Sequence, residues 1–164
     1  MNIRQERASD EDAIRAVVTA AFDGHPHSDG SEPKIVDRLR ADDDLTLSLV
    51  AEQDGEIVGH IAFSPVTIGD DDSGWHGLGP VAVRPDSQGF GIGSALVQAG
   101  LEQMRERGSP GCVLVGEPAY YNRFGFESDL SINYHGQVSE YLQSLSFTDA
   151  ESPGGAVRYA PAFG

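Results

Sequence analysis

Apolar residues recur along this chain with two spacings, and each spacing predicts a type of secondary structure. Intervals of three and four residues predict three helices, over residues 10–22, 33–40 and 92–107. We expect Ser9 to cap the first of these helices and Gly108 to end the last. Asp54 and Gly55 predict a hairpin turn, and residues 69–77 a second, acidic turn. Short apolar or alternating runs predict strands over residues 3–7, 45–52, 57–66, 78–83, 112–116, 126–132 and 157–160, with a short helix over residues 119–123.

Length and composition limit the class of protein. With 164 residues and no linker-like stretch, we expect residues 1–164 to form a single domain. The N-terminal residues lack an apolar signal region and the apolar runs have strand length, so we expect a cytoplasmic protein without a membrane span. The only cysteine, Cys112, lies in an apolar strand pattern, and we expect it to be buried rather than nucleophilic.

The charge is unusual for a chain of this length. The formal net charge is −15, Lys34 is the only lysine, and arginines supply the other cationic side chains. The negative electrostatic field of such a chain repels phosphates and so disfavours nucleic-acid binding. Two explanations stay open: a halophilic origin, in which ions of a high-salt cytoplasm screen the repulsion between carboxylates, and attraction of a cationic substrate. Because the carboxylates are spread along the whole chain, we favour the first explanation.

A glycine-rich loop follows the fourth predicted strand and precedes the longest helix. Its glycines leave room for backbone amides to converge on an anion, and the N-terminus of the helix adds its positive dipole end. The loop lacks the lysine of a P-loop, and its G-x-G-x-G spacing differs from the G-x-G-x-x-G of dinucleotide-binding proteins. The pattern instead predicts a cradle for a pyrophosphate, formed by Gln88, Gly89, Phe90, Gly91, Ile92, Gly93 and Ser94.

Two motifs together resemble a known family. Residues 88–93, which follow a Val-Ala-Val strand, are similar to motif A of the GCN5-related N-acetyltransferases. Residues 118–126 read Pro-Ala-Tyr-Tyr-Asn-Arg-Phe-Gly-Phe, with Tyr121 placed five residues before the phenylalanine of the Gly-Phe pair. Further segments match a bacterial and archaeal subgroup of this family in the same order, so the resemblance spans nearly the whole chain. These segments are residues 59–65, 78–83 and 159–163.

The resemblance implies a fold and a donor. The expected fold class is α/β (α+β), with a mixed, twisted, mostly antiparallel sheet of about seven strands flanked by helices. The fourth and fifth strands would splay apart and admit acetyl-CoA, whose pantetheine arm would lie along Val81, Ala82 and Val83. A backbone amide near Val81 or Ala82 would polarise the thioester carbonyl. The chain would then transfer an acetyl group to a primary amine by direct attack in a ternary complex.

The resemblance also implies residues that transfer protons. Tyr121 would protonate the departing thiolate, and Tyr120 would pack nearby or line the acceptor site. The base that removes the amine proton is not settled by the sequence. Glu117, at the end of the fifth predicted strand, is the first candidate, and Glu52 and His60 follow.

The loop before the second helix carries two histidines, His25 and His27. Two imidazoles without a further ligand at suitable spacing do not predict a metal site, so we expect them to line the acceptor cleft. The expected partners are therefore acetyl-CoA and an amine, without nucleic acid, membrane or metal, and a homodimer is compatible with them. The alternative to an enzyme is a non-catalytic domain that binds acyl-CoA as a sensor or regulatory subunit.

The melting temperature tests the high-salt interpretation. Raising KCl from 0.1 M to 1 M shortens the Debye length from about 10 Å to about 3 Å and so weakens repulsion among the carboxylates. We expect the melting temperature, followed by circular dichroism, to rise markedly over this range. Sucrose at matched osmolality is the control, because it stabilises by exclusion from the surface without screening charge. A melting temperature that is flat from low to molar KCl would contradict the halophilic interpretation.

Overall fold

The structure is a computed structural model that describes residues 1–70 and 74–164. The strands are β1 (Asn2–Gln5), β2 (Leu47–Gln53), β3 (Glu56–Pro65), β4 (Thr67–Ile68), β5 (His76–Val83), β6 (Gly111–Val115), β7 (Glu127–Ser128), β8 (Ile132–Tyr134), β9 (Leu142–Ser146) and β10 (Gly155–Arg158). The helices are α1 (Glu11–Phe22), α2 (Glu32–Ala41), α3 (Ile92–Glu106) and α4 (Pro118–Tyr121). The three long predicted helices are confirmed to within one residue at each end. Among the described helices, none has both the length and the apolar character needed to cross a bilayer.

Seven strands form the main sheet, in the order β1-β2-β3-β5-β6-β9-β7. Neighbouring strands are antiparallel except β5 and β6, which run parallel. Helix α3 packs on one face of this sheet, and α1 and α2 pack on the other. The expected mixed, mostly antiparallel sheet flanked by helices is confirmed.

The core below α3 is closely packed. Gly100 of α3 faces Phe63 of β3, and a Cβ at Gly100 would lie 2.4 Å from the Phe63 ring, so only glycine permits this approach. Cys112 of β6 belongs to the same core. Its side chain is buried as expected, and burial raises the pKa of its thiol to about 12, so it is no nucleophile at neutral pH.

Strands β5 and β6 lie side by side only at the start of β5. Their register contains two residue pairs, His76 with Cys112 and Gly77 with Val113. Beyond these pairs, the described residues of β5 have no partner on β6, whereas β5 stays paired with β3 on its other side. The predicted splay between these two strands is therefore confirmed.

The C-terminal third of the chain differs from the expectation. The single strand predicted over residues 126–132 is two short strands, β7 in the main sheet and β8 in a second sheet of order β4-β10-β8. The strand predicted over residues 157–160 is β10, which begins earlier, at Gly155. Strand β9 was not predicted, because Gln143 and Ser144 interrupt its apolar pattern. Gln143 is nevertheless fully buried, and its amide donates to the Gly116 carbonyl at 2.9 Å.

The start of α1 also corrects a prediction. Ser9 does not cap the helix, which is preceded instead by a short 3₁₀ turn ending at Asp10. The Asp10 carboxylate accepts the Arg7 amide at 2.6 Å and a guanidinium hydrogen bond from Arg4 at 2.7 Å. Asp10 therefore ties β1 to the entry of α1 and is buried despite its charge.

Candidate active site

The glycine loop between β5 and α3 is open on one side. Gly89 and Gly91 have φ values of 85° and 83°, in the left-handed region, and a Cβ at either position would meet nothing within 4 Å. The Ala95 amide donates to Gly91 O at 3.0 Å and is the first of α3 to find a helical acceptor. Within the described chain, the amides of residues 92–94 thus stay available at the positive end of the helix, as a pyrophosphate cradle requires.

Side chains of the cradle anchor it on both sides. Gln88 Nε2 donates to Val83 O at 3.0 Å and so ties the loop to the end of β5. Ile92 is buried in the core below α3, whereas Phe90 is 79% exposed between the two left-handed glycines. Ser94 Oγ lies 3.0 Å from the Tyr120 hydroxyl, which brings α4 against the first turn of α3.

The splay exposes one edge of β5. The Arg84 amide donates to a β3 carbonyl at 2.8 Å, so Arg84 and, two residues earlier, Ala82 turn their backbone groups toward β3. Val81 and Val83 alternate with them and turn their amides and carbonyls into the gap. The bond from Gln88 to Val83 O on the loop side agrees with this direction. Of the two amides expected to polarise a thioester, the Val81 amide therefore faces the gap and the Ala82 amide does not.

Tyr121 lies against the end of β6 on the α3 side of the sheet. A Cβ at Gly116 would lie 2.5 Å from Cε2 of Tyr121, so the ring rests directly on the Gly116 backbone. The rings of Phe124 and Phe126 flank it, with centroids 6.2 Å away. Burial, with a smaller contribution from Tyr120, raises the pKa of Tyr121 to about 12. The hydroxyl therefore keeps its proton at neutral pH.

The alternation of β6 predicts that Glu117 faces the other side of the sheet. Along β6, Leu114 packs below α3, whereas Val113 packs in the second core and Val115 is exposed. Glu117 follows the bend at Gly116 and has an extended backbone, with φ −77° and ψ 117°, so the alternation carried past β6 predicts that it lies on the side of Val113 and Val115. Its side chain is exposed, and its carbonyl accepts the Tyr121 amide at 3.0 Å. The two residues expected to transfer protons both follow the end of β6, and this alternation predicts them on opposite faces of the sheet.

Glu52 is engaged in an ion pair. Arg4 Nη2 donates to Glu52 Oε2 at 2.9 Å, while the other branch of the same guanidinium binds Asp10. The Glu52 carboxylate is thus held against the Arg4 guanidinium rather than left free to meet an amine.

His60 is 0% exposed and forms part of a buried network. Its Nε2 lies 2.8 Å from Ser48 Oγ, and Ser48 donates to the Glu6 carboxylate, which also accepts two bonds of 2.9 Å from Arg40. Because the Ser48 hydrogen is used by Glu6, Ser48 accepts the Nε2 hydrogen of a neutral imidazole. The remaining Nδ1 lone pair has no partner among the described residues. Burial lowers the pKa of His60 to about 4, so the ring stays neutral.

His25 and His27 lie in the exposed loop between α1 and α2, with ring centroids 6.0 Å apart. In residues 1–70 and 74–164, no group of three or more His, Cys, Asp or Glu side chains is arranged to hold a metal ion. A role for this loop in lining an acceptor cleft stays a prediction.

Tyr159 borders the gap between β5 and β6, although the sequence assigned it no role. A Cβ at Gly77 would lie 2.5 Å from Cε1 of Tyr159, so this ring covers the point where β5 and β6 separate. Burial raises the pKa of Tyr159, and its hydroxyl is neutral. The motif over residues 159–163 was its one sequence signal. The contact itself joins distant parts of the chain, and no local pattern predicts it.

Comparison with known proteins identifies the family. A family model described as "Acetyltransferase (GNAT) family" matches residues 12–126. The chain belongs to the GNAT family. This confirms the resemblance drawn from its motifs. The uncharacterized N-acetyltransferase YhbS of Escherichia coli (strain K12) is 40% identical to this GNAT chain over 146 residues, which cover 86% of the chain and 84% of YhbS.

Two solved structures of GNAT proteins are similar over almost the whole chain. A GNAT family acetyltransferase from Brucella melitensis in complex with acetyl-CoA is 49% identical, with a TM-score of 0.88 and coverage of 99% of this chain and 97% of that one. YhbS from Escherichia coli in complex with CoA is 34% identical, with a TM-score of 0.90 and coverage of 99% and 91%.

The buried His60 predicts a pH dependence of stability. Its pKa is about 4 in the folded GNAT chain, against 6.5 for an unperturbed histidine. Between these values the unfolded chain binds a proton that the folded chain does not, so the free energy of unfolding falls as the pH falls from 6.5 to 4. We expect His60→Gln, which keeps a donor for Ser48 but does not titrate, to show a shallower decline. Urea unfolding in small pH steps measures both slopes, and equal slopes would mean that His60 is not held neutral.

Proposed function

We propose that this GNAT chain transfers an acetyl group from acetyl-CoA to a primary amine. The observation that carries the proposal is the gap between β5 and β6, which exposes the backbone of Val81 and Val83 and leads to the glycine cradle. A donor with an extended amide-bearing arm and a pyrophosphate fits both features. The similar structures whose names record acetyl-CoA or CoA support this donor.

The residues present fit the donor. Side chains at Gly89 and Gly91 would project into the open side of the cradle, where the phosphates would lie on the amides of residues 92–94. The Val81 carbonyl and the backbone of Val83 would pair with the pantetheine amides as a neighbouring strand would, which leaves the Val81 amide for the thioester. Acetyl-CoA, when bound, supplies a thioester whose carbonyl carbon an amine can attack.

The two faces of the sheet divide the proton transfers. We propose that the amine approaches from the Glu117 face, where this carboxylate accepts one N–H proton as the C–N bond forms. The Val81 amide would donate to the carbonyl oxygen, on which negative charge develops. As the C–S bond breaks, the Tyr121 hydroxyl would donate first a hydrogen bond and then its proton to the sulfur. With a pKa of about 12 it is a reluctant acid, so this proton would move late.

The other candidate bases are disfavoured by their surroundings. Glu52 is paired with Arg4, and His60 has no exposed surface with which to meet an amine. Glu117 is exposed at the end of β6 and is therefore the proposed base. We propose structural roles for the other two, Glu52 in fixing β1 and His60 in joining β3 to Ser48 and Glu6.

Gly91 provides a test of donor binding. Asp and Asn have nearly the same size and tolerate a left-handed backbone better than other L-residues, so Gly91→Asn controls for strain in Gly91→Asp. We expect the Asp variant to bind acetyl-CoA at least about tenfold more weakly than the Asn variant, because its carboxylate would repel the phosphates. Isothermal titration with acetyl-CoA measures this, with NAD as a ligand that should not bind. Equal affinity of the two variants would contradict the assignment of the cradle.

Tyr121→Phe tests transfer itself. We expect the single-turnover rate of thiol release with an active amine to fall by about 10² to 10⁴, the range for loss of a general acid. The dissociation constant for acetyl-CoA should change little, because the ring still packs on Gly116. The amine is found by assaying polyamines, amino acids, aminoglycosides and peptide N-termini. Binding of acetyl-CoA without thiol release for any amine would instead favour a non-catalytic sensor.

A further inference from the structure

Arg123 is held next to the cradle by a tyrosine. Its guanidinium carbon lies 4.5 Å from the centroid of the Tyr120 ring, and its Nε donates to Tyr120 O at 2.8 Å. The hydroxyl of the same ring lies 3.0 Å from Ser94 Oγ, in the first turn of α3. One tyrosine therefore connects the guanidinium of Arg123 to the helix end that forms the cradle.

The charge of Arg123 is not neutralised within the described part of the chain. No carboxylate there lies within ion-pair distance of it, although five other arginines are paired. Arg84, which precedes the cradle, is held by Glu56 and Asp86 at 3.1 and 2.6 Å. In a chain of net charge −15, an unpaired guanidinium beside an anion site creates a local field of the opposite sign.

The hydrogen-bonding groups of Arg123 fit a phosphate. Because Nε is used by Tyr120 O, both Nη groups remain for a ligand, and the planar fork matches two phosphate oxygens. The position over the ring and the Nε hydrogen bond to Tyr120 O together restrain the fork, which a flexible ammonium group would not achieve. The amides of α3 already suit the pyrophosphate, so a further cation suits the second phosphate group of the donor.

We propose that Arg123, positioned by Tyr120 and Ser94, binds a phosphate of CoA and that this phosphate is the 3′-phosphate of the ribose. The inference rests on the donor-binding part of the proposed function and is independent of the acceptor and of transfer. It makes Arg123 a residue that distinguishes CoA from 3′-dephospho-CoA. The pyrophosphate of CoA could bind a guanidinium in the same way. Comparing CoA with 3′-dephospho-CoA, which lacks only the 3′-phosphate, distinguishes the two phosphate groups.

The chain provides a matched control. Arg105, in the last turn of α3, also lies over an aromatic ring, 4.8 Å from the centroid of Phe147, and is exposed. No described carboxylate is within ion-pair distance of it either. Arg105→Gln and Arg123→Gln thus remove the same charge and the same kind of stacking contact. They do so at opposite ends of the helix.

The experiment is isothermal titration of CoA and of 3′-dephospho-CoA into the wild-type chain and both variants, with melting temperatures as a check of folding. We expect Arg123→Gln to weaken the binding of CoA about 10- to 100-fold, which is the size of a bidentate charge-assisted contact. The affinity for 3′-dephospho-CoA should not change. Arg105→Gln should change the affinity for neither ligand. Arg123→Lys keeps the charge but not the fork, so its affinity for CoA should lie between those of the wild-type chain and Arg123→Gln.

The remaining outcomes are also decisive. If Arg123→Gln weakens the binding of both ligands equally, Arg123 binds the pyrophosphate rather than the 3′-phosphate. That result would overturn the 3′-phosphate assignment. A folded Arg123→Gln variant with wild-type affinity for CoA, or an equal effect of Arg105→Gln, would overturn the inference altogether. A wild-type chain that binds neither ligand would overturn the proposed donor as well. Failure of the proposed function is thereby distinguished from failure of Arg123 alone.

Tyr120→Phe tests the positioning role. It keeps the ring below the guanidinium but removes the hydroxyl that meets Ser94. We expect the ratio of the CoA and 3′-dephospho-CoA affinities to fall toward that of Arg123→Gln. A general loss of protein stability would weaken the binding of both ligands equally and leave this ratio unchanged. An unchanged ratio would show that Arg123 does not depend on the Tyr120–Ser94 contact.

Discussion

Pairing between β5 and β6 ends after two residue pairs, and the candidate site depends on this early end. Backbone groups that leave a ladder still need partners, so Val81 and Val83 present donors and acceptors to whatever enters the gap. Pro80 interrupts the register of β5 just before them and has no amide to donate. On the opposite side, Tyr159 covers Gly77, where the strands separate. Beyond Gly77 the sheet is thus open between β5 and β6, while β5 stays paired with β3.

The gap between β5 and β6 opens to both faces of the sheet, and these faces carry different residues. Helix α3 lies on one face together with Tyr121, and the alternation of β6 predicts that Glu117 lies on the other. Between these residues stands Gly116, whose missing side chain lets the Tyr121 ring approach the end of β6. In the proposed reaction, donor and acceptor would meet inside the sheet from opposite sides, with the proposed acid near the leaving group and the proposed base near the amine.

Local sequence chemistry predicted the parts of the structure that local chemistry determines. Asp54 and Gly55 both have positive φ values, 54° and 80°, as their turn requires. Long-range contacts decided the rest. Gln143 appears polar in the sequence but is buried in β9 because the Gly116 carbonyl accepts its amide. Glu52 has the position of a base, yet Arg4, far away in sequence, pairs with it. The open loop with left-handed residues was predictable from its glycines, but the side of β5 that faces the gap required the register with β3.

The net charge of −15 and the proposed anion-binding cradle are compatible because they act over different distances. Repulsion between a net charge of −15 and a polyphosphate acts through solvent and is screened over about 3 Å at molar salt, against about 10 Å at 0.1 M. Amides at a helix N-terminus and a stacked guanidinium act at contact distance, where screening is weak. High salt would therefore remove most of the unfavourable long-range field and preserve the local one. A chain whose cradle relies on backbone dipoles can carry many surface carboxylates without losing an anionic donor.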